Sequence, residues 1–135
     1  MNKFFAQIEA INPALVIPFE RLLFQAADRM VEGYNGGSWD EVALGQNVYG
    51  LRCPCGDNAR VRLVNGDNYC DVTTDARTAG CALAQLALNQ LLWMLHHNNR
   101  HKEAQAMTDL FYKVQNRARM KPNQLDVPSM VAFLD

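Results

Sequence analysis

The chain has 135 residues, enough for one domain with a real core, and its 49% hydrophobic and 20% charged residues are ordinary for a globular protein. Fourteen acidic and thirteen basic residues give a net charge of −1, which argues against a protein that grips nucleic acid mainly through its phosphates. The same balance argues against a protein that imitates DNA, because such a protein needs a dense acidic surface. We predict one domain over 1–135 that recognises its partner by shape.

The pattern of apolar residues predicts neither a signal peptide nor a membrane span. Glu9 interrupts the short apolar run that follows Lys3. The apolar stretch 81–95 contains three side-chain amides and is shorter than the ~20 residues that a span needs, so a buried helix is expected. The four cysteines are accordingly expected to be free thiols in the cytoplasm, and no membrane partner is predicted.

The first long element is predicted to be an amphipathic helix. After a short apolar N-terminal turn and two prolines, apolar residues recur at three- and four-residue steps from Phe19 to Tyr34. Pro18 suits the first turn of this helix. Gly33 or the pair Gly36-Gly37 is expected to end it.

The apolar period then changes to two, which predicts strands. Four are expected, at Trp39–Leu44, Val48–Cys53, Ala59–Val64 and Tyr69–Thr73. The turns between them are short: Gly45-Gln46-Asn47, Gly56-Asp57-Asn58 and Asn65-Gly66-Asp67-Asn68. Loops of this length join only antiparallel neighbours, so we predict a four-stranded antiparallel meander sheet with one apolar face.

Helices are expected to cover that face. Thr73 or Thr74 can cap the first of them, with Asp75 in its first turn, and this helix is apolar nearly all round, as in a central helix. A second helix is predicted for 102–120 and a short capped one within 126–135. The fold class is therefore α+β, with about three main helices in the order α-ββββ-α-α.

The segment Tyr34-Asn35-Gly36-Gly37-Ser38-Trp39 lies where the helical pattern gives way to the strand pattern. Two glycines permit a sharp turn, and two aromatic residues flank it. One interpretation is a helix stop with two core anchors. The other is a surface presented to a partner, since loops held on a rigid scaffold often carry function. We take Tyr34, Asn35, Gly36, Gly37, Ser38 and Trp39 as the candidate binding residues.

Motifs for catalysis are missing from the sequence. It contains no Gly-x-Ser-x-Gly, no phosphate-binding glycine loop that opens a helix and no His-Glu-x-x-His, so no enzyme, catalytic residue or cofactor is predicted. The pair Cys53 and Cys55 is spaced too closely for the usual zinc motif, and Cys70 and Cys81 fit core positions. The three histidines flank Asn98-Asn99, which is expected to break the helix between them, so no metal site is predicted.

Three arginines form a possible basic patch on the open face of the predicted sheet. They are Arg52, Arg60 and Arg62. A solvated face is the plainer interpretation. A weak nucleic-acid contact is the alternative, and its affinity would fall steeply with salt.

An ordered set of residues runs from the first long helix to the next. The segment 34–39 is followed by Tyr49, Val61-x-Leu63-x-Asn65, Tyr69, Thr74-Asp75-Ala76 with Gly80, and Leu83, Ala87 and Leu91. This set resembles the antirestriction proteins of the ArdB/KlcA family, which plasmids, prophages and genomic islands carry. The resemblance covers the chain roughly from Pro18 onward. Asn47-Val48-Tyr49-Gly50 departs from the family's usual Gly-Gly-Phe-Tyr-like strand, and Cys53-Pro54-Cys55-Gly56 is particular to this chain.

The resemblance implies a non-enzymatic α+β protein that protects foreign DNA from host type I restriction. Its partner would be the host restriction system, reached directly or indirectly, and direct DNA binding would be weak or missing. A monomer or weak dimer is expected. The alternative is a small nucleic-acid-binding or protein-binding regulatory module of a mobile element.

Overall fold

The computed structural model describes residues 2–55 and 60–135. Their helices are α1 (Lys3–Glu9), α2 (Val16–Met30), α3 (Ala76–His97), α4 (His101–Ala118) and α5 (Val127–Leu134), with short 3-10 turns at Pro13–Leu15 and Lys121–Asn123. Their strands are β1 (Asp40–Gly45), β2 (Val48–Arg52), β3 (Arg60–Asn65) and β4 (Cys70–Asp75). The α+β class is confirmed. The predicted turn at 56–58 and strand residue Ala59 lie outside the described residues.

The four strands form two separate two-stranded antiparallel sheets. Strand β1 pairs with β2, and β3 pairs with β4 in continuous register from Arg60 opposite Asp75 to Asn65 opposite Cys70. The predicted single meander is therefore wrong. The other edge of β3 is occupied from the end of α2, because Val31 bridges Leu63 and the Glu32 amide donates to the Arg62 carbonyl at 3.1 Å.

The same pairing explains where α2 ends. The helix stops at Met30, three residues before Gly33, because Val31 already has the extended backbone (φ −99°, ψ 115°) that the bridge to β3 needs. Leu23, Ala26 and Ala27 line its buried face, as the periodicity predicted. A contact with the sheet, and not a glycine, sets the boundary.

Helix α3 is the centre of the core. It follows β4 directly, and its N-cap is Asp75, whose carboxylate accepts from the Thr78 amide at 2.8 Å; the predicted Thr73 or Thr74 cap is wrong. By length and composition α3 could cross a membrane, but 72% of its most apolar window is buried inside this fold. It packs between α2, α4 and α5 and against β2.

Two glycines allow α3 to lie directly on β2. A Cβ atom at Gly80 would overlap the backbone of residues 51–53, and one at Gly50 would lie 2.6 Å from the Cys81 sulfur. The Cys53 amide donates to the Ala76 carbonyl at 3.0 Å, which ties the end of β2 to the start of α3. The first amide after β2 is thus bonded to a helix.

A buried polar cluster joins the starts of α3 and α5. The Thr78 hydroxyl donates to Asp75 and accepts from the Asp126 amide, both at 2.9 Å, while the Thr74 hydroxyl donates to the Asp126 carboxylate at 2.9 Å. Both threonines are fully buried. Buried polar groups paired in this way fix a unique arrangement, since any mismatch leaves an unsatisfied group. The cluster therefore sets the position of α5 relative to α3.

We predict that Gly80→Ala destabilises the protein by about 2 kcal/mol or more, although alanine favours a helix over glycine by about 1 kcal/mol. The added methyl meets backbone atoms, which cannot move aside. The matched control is Gly66→Ala, whose Cβ meets nothing within 4 Å, and it should stay within about 0.5 kcal/mol of the parent. Urea unfolding measures both, and equal midpoints for the two variants would refute the close packing of α3 on β2.

We predict that Asp126 contributes to acid sensitivity. Hydrogen bonds from Ser129 and Thr74 hold the pKa of Asp126 below its usual value, against some desolvation. Because the folded-state pKa is depressed, this stabilisation is present above the unfolded pKa of about 3.9 and is lost as pH falls through the folded value. Asp126→Asn should therefore lower stability at pH 7 and flatten the loss of stability between about pH 5 and pH 2.

The measurement is urea unfolding at several pH values, with Asp67→Asn in an exposed turn as the control. A variant at position 126 whose pH slope matches that of the control would contradict the assignment.

Candidate functional site

Residues 34–39 form an irregular segment between α2 and β1. The Trp39 indole is buried, with 6% of its surface exposed, and its Nε1 donates to the Tyr34 hydroxyl at 3.2 Å. The two rings pack with their centroids 6.1 Å apart. The four residues between them, 35–38, are exposed. The aromatic pair thus joins the two ends of the segment. The two interpretations drawn from the sequence, core anchors and a surface presented to a partner, are therefore compatible.

Contacts with residues outside the segment hold its second half in place. The Asn2 side chain donates to the Trp39 carbonyl at 2.7 Å, and a Cβ atom at Gly37 would lie 2.8 Å from the Pro54 Cβ. Gly36 (φ +77°) and Gly37 (φ +123°) have backbone angles that favour glycine. The side chains of Asn35 and Ser38 are therefore presented on an anchored turn. Their binding role stays a prediction.

The three predicted arginines lie in two different sheets and not on one sheet face. Arg60 and Arg62 both point outward from β3, whereas Arg52 lies in the β1–β2 sheet and donates to the Cys55 carbonyl at 3.5 Å. Arg62 makes a two-bond pair with Asp71, at 2.9 and 2.7 Å, and a third bond to Glu32 at 2.8 Å.

The two carboxylates together carry more formal charge than the single guanidinium of Arg62. The hydrogen bonds with Asp71 and Glu32 raise the pKa of Arg62 still further above its usual range, and the Arg62 pair lowers the pKa of Asp71. Arg60 donates to the Thr73 carbonyl at 3.2 Å. These contacts describe a solvated face on which the charge of Arg62 is neutralised by its carboxylate partners. A nucleic-acid contact there stays a prediction.

Three of the four cysteines are core thiols, and Cys55 is partly buried. Cys53, Cys70 and Cys81 are buried, and burial is the main cause that raises the pKa of both Cys53 and Cys81 to about 12. A thiol with so high a pKa is a poor nucleophile at neutral pH. Within residues 2–55 and 60–135, no three His, Cys, Asp or Glu side chains are arranged to hold a metal ion.

The histidines flank the junction of α3 and α4. The rings of His96 and His101 lie 6.2 Å apart, and Asn99 turns the chain between the helices with a φ of +59°. The predicted break at Asn98-Asn99 is confirmed.

Sequence reasoning missed two surface features. One is a groove of about 780 Å³ between α1, the β1–β2 turn and α4. The other is the exposed side chain of Trp93, 55% of which is accessible. It separates a groove of about 590 Å³ toward α2 from one of about 210 Å³ toward α4. Neither feature could be read from the chain, because each joins elements that are distant in sequence.

Proteins similar to this chain include two from Escherichia coli K12. One, named "Putative antirestriction protein YubI", is 38% identical over 77 residues, which are 57% of this chain and 52% of that protein. The other, named "Uncharacterized protein YafX", is 34% identical over 101 residues, 74% of this chain and 61% of that protein. The chain thus spans between about half and three fifths of the length of these relatives. It matches no protein-family model.

The first of these relatives confirms the resemblance to an antirestriction protein that the ordered residue set indicated. Assignment to the ArdB/KlcA family in particular stays a prediction.

We predict that Tyr34→Phe costs about 1 kcal/mol, because the buried indole N–H of Trp39 loses its acceptor. Tyr112→Phe is the matched control, since Tyr112 is 54% exposed on α4 and its hydroxyl can bond to water. Denaturant unfolding followed by circular dichroism gives both values. If the two substitutions lower the free energy of unfolding equally, the hydrogen bond between Trp39 and Tyr34 contributes nothing to stability.

Proposed function

We propose that this protein is a non-enzymatic antirestriction protein that protects foreign plasmid or phage DNA from host type I restriction. The observation that carries the proposal is the 38% identity with YubI over more than half of this chain. The ordered residue set from the segment 34–39 to Leu91 agrees with it. We place the protein in the cytoplasm, where restriction takes place, and its partner is the host restriction system.

Charge supports recognition by shape over imitation of DNA. Five carboxylates are already used inside the fold. Asp75 and Asp126 cap helices. Glu32 and Asp71 pair with Arg62, and Glu103 pairs with Arg100 at 2.6 Å. A DNA mimic needs unpaired acids at the spacing of phosphates, about one charge per ~1.7 Å of duplex axis. Acids that cap a helix or pair with arginine do not supply such a field.

The proposed recognition surface is the exposed part of the segment 34–39. Asn35 and Ser38 carry the hydrogen-bonding side chains there, and the glycines between them leave backbone groups accessible. The Tyr34–Trp39 pair and Pro54 hold the turn in place before a partner binds, so little conformational entropy is lost on binding.

We predict that Asn35→Ala and Ser38→Ala each weaken recognition about tenfold while the fold is retained, since both side chains are exposed. Unmodified phage is plated on restricting and non-restricting hosts that express each variant. Protection should be confined to the restricting host and should fall with either substitution. Thr73→Ala, at an exposed position on β4, is the control and should protect as the parent does.

Unchanged protection by both variants would move the surface elsewhere. If the parent gives no protection in the restricting host, the antirestriction proposal fails. Salt-dependent binding of DNA by the purified protein would then favour the alternative, a nucleic-acid-binding regulatory module.

A further inference from the structure

The groove between α1, the β1–β2 turn and α4 has the make-up of a peptide-binding site. One wall is α4, which contributes residues from Ala106 to Arg117, and the other wall is formed by Gln7, Ile11 and the turn residues 46–48. Twelve residues of helix span about 17 Å, which matches about five residues of extended chain. The lining mixes the apolar side chains Ile11, Val48 and Leu110 with amides and charges.

Two cations in this groove have no carboxylate partner among the described residues. Lys113 and Arg117 lie one helical turn apart on α4, so both point to the same side. Arg117 is held in place, because its Nε donates to the Leu44 carbonyl at 2.9 Å and its guanidinium lies over Gly45, where a Cβ would overlap it. A fixed guanidinium is preorganised to bind a carboxylate.

The turn that forms the other wall contains one residue, Gln46, in an unfavourable backbone conformation. Gln46 (φ +56°) and Asn47 (φ +59°) both occupy the left-handed region, although neither is glycine. Two-residue hairpin turns demand such angles, and glycine or asparagine normally supplies them, so glutamine there is unusual. Strain of this kind concentrates at functional sites. In the described part of the chain, the side chains of Gln46, Asn47 and Asn116 make no hydrogen bond and are available to a peptide backbone.

An edge contact defines the inner limit of the groove. The Gln7 side chain accepts from the Tyr49 amide at 2.9 Å and donates to the Tyr49 carbonyl at 3.1 Å, as a neighbouring strand would. The strand edge there is already satisfied, so a peptide would be bound through the rim amides and cations and not by adding to β2.

The charges in the groove favour a short acidic segment over nucleic acid. Asp109 lines the same wall one turn before Lys113, so a continuous polyanion would meet a like charge along the groove. A segment with only one or two carboxylates, placed near Lys113 and Arg117, would avoid the like charge of Asp109. We propose that this groove binds an extended segment of a partner protein, about five residues long, whose acidic side chain pairs with Lys113 and Arg117. The proposal does not depend on the antirestriction role.

The test uses the full chain and two acetylated, amidated pentapeptides, Val-Thr-Val-Asp-Glu and its neutral form Val-Thr-Val-Asn-Gln. Amide resonances in ¹H–¹⁵N spectra are followed during titration at low salt. The acidic peptide should shift residues 46–48 and 106–117 and bind about tenfold tighter than the neutral one. Lys113→Glu should weaken the acidic peptide about fivefold or more.

The matched control is Lys102→Glu, which makes the same charge change on an exposed residue of α4 outside the groove. It should change the affinity less than about twofold. Equal losses in the two lysine variants would reduce the effect to net charge and overturn the proposal. So would shifts confined to other residues, no binding up to about 2 mM peptide, or a ten-nucleotide oligo(dT) that binds in this groove more tightly than the acidic peptide.

Discussion

The architecture depends on one close contact, the passage of helix α3 over β2 at Gly80. No side chain fits between the two backbones there, and the Cys53 amide bonds to the first residue of the helix. A sheet cannot extend through backbone groups that are already hydrogen-bonded to a helix, because each amide and carbonyl forms only a few hydrogen bonds. The strands therefore divide into two hairpins, and the chain passes between the two sheets twice, first from the Val31 bridge to β1 and then from β2 to β3.

Both crossings meet at the candidate recognition segment. Val31 pairs with β3 in one sheet, and β1 begins at Asp40 in the other, so residues 32–39 form the first crossing. Pro54 follows β2 on the way to β3, and it lies against Gly37. The exposed turn at 35–38 is thus a consequence of splitting the sheet. The turn has no regular secondary structure, yet the Tyr34–Trp39 pair, Asn2 and Pro54 contact it.

The sequence predicted the local elements and failed where distant ones meet. Apolar residues alternate along β3 and recur every three or four residues along α2. Both patterns depend only on neighbours within a few residues, so the buried faces of these two elements were predictable. The division of the sheet was not, because it depends on one glycine in α3 facing the backbone of a strand that is about 30 residues earlier. The same limit applies to Arg62, whose two carboxylate partners come from β4 and from the residues after α2.

Helix α1 connects the two surfaces that we propose as binding sites. Asn2, its N-cap, holds the Trp39 carbonyl at the base of the recognition segment, and Gln7 lines the groove while bonding to Tyr49. At 1.5 Å per residue these two anchors lie within about 10 Å along one short helix. A standard interface covers about 800 Å² on each partner, a patch wider than that separation. One partner of ordinary size would therefore cover both the turn and the groove, and the shape of the turn and the two cations of the groove would together set its specificity.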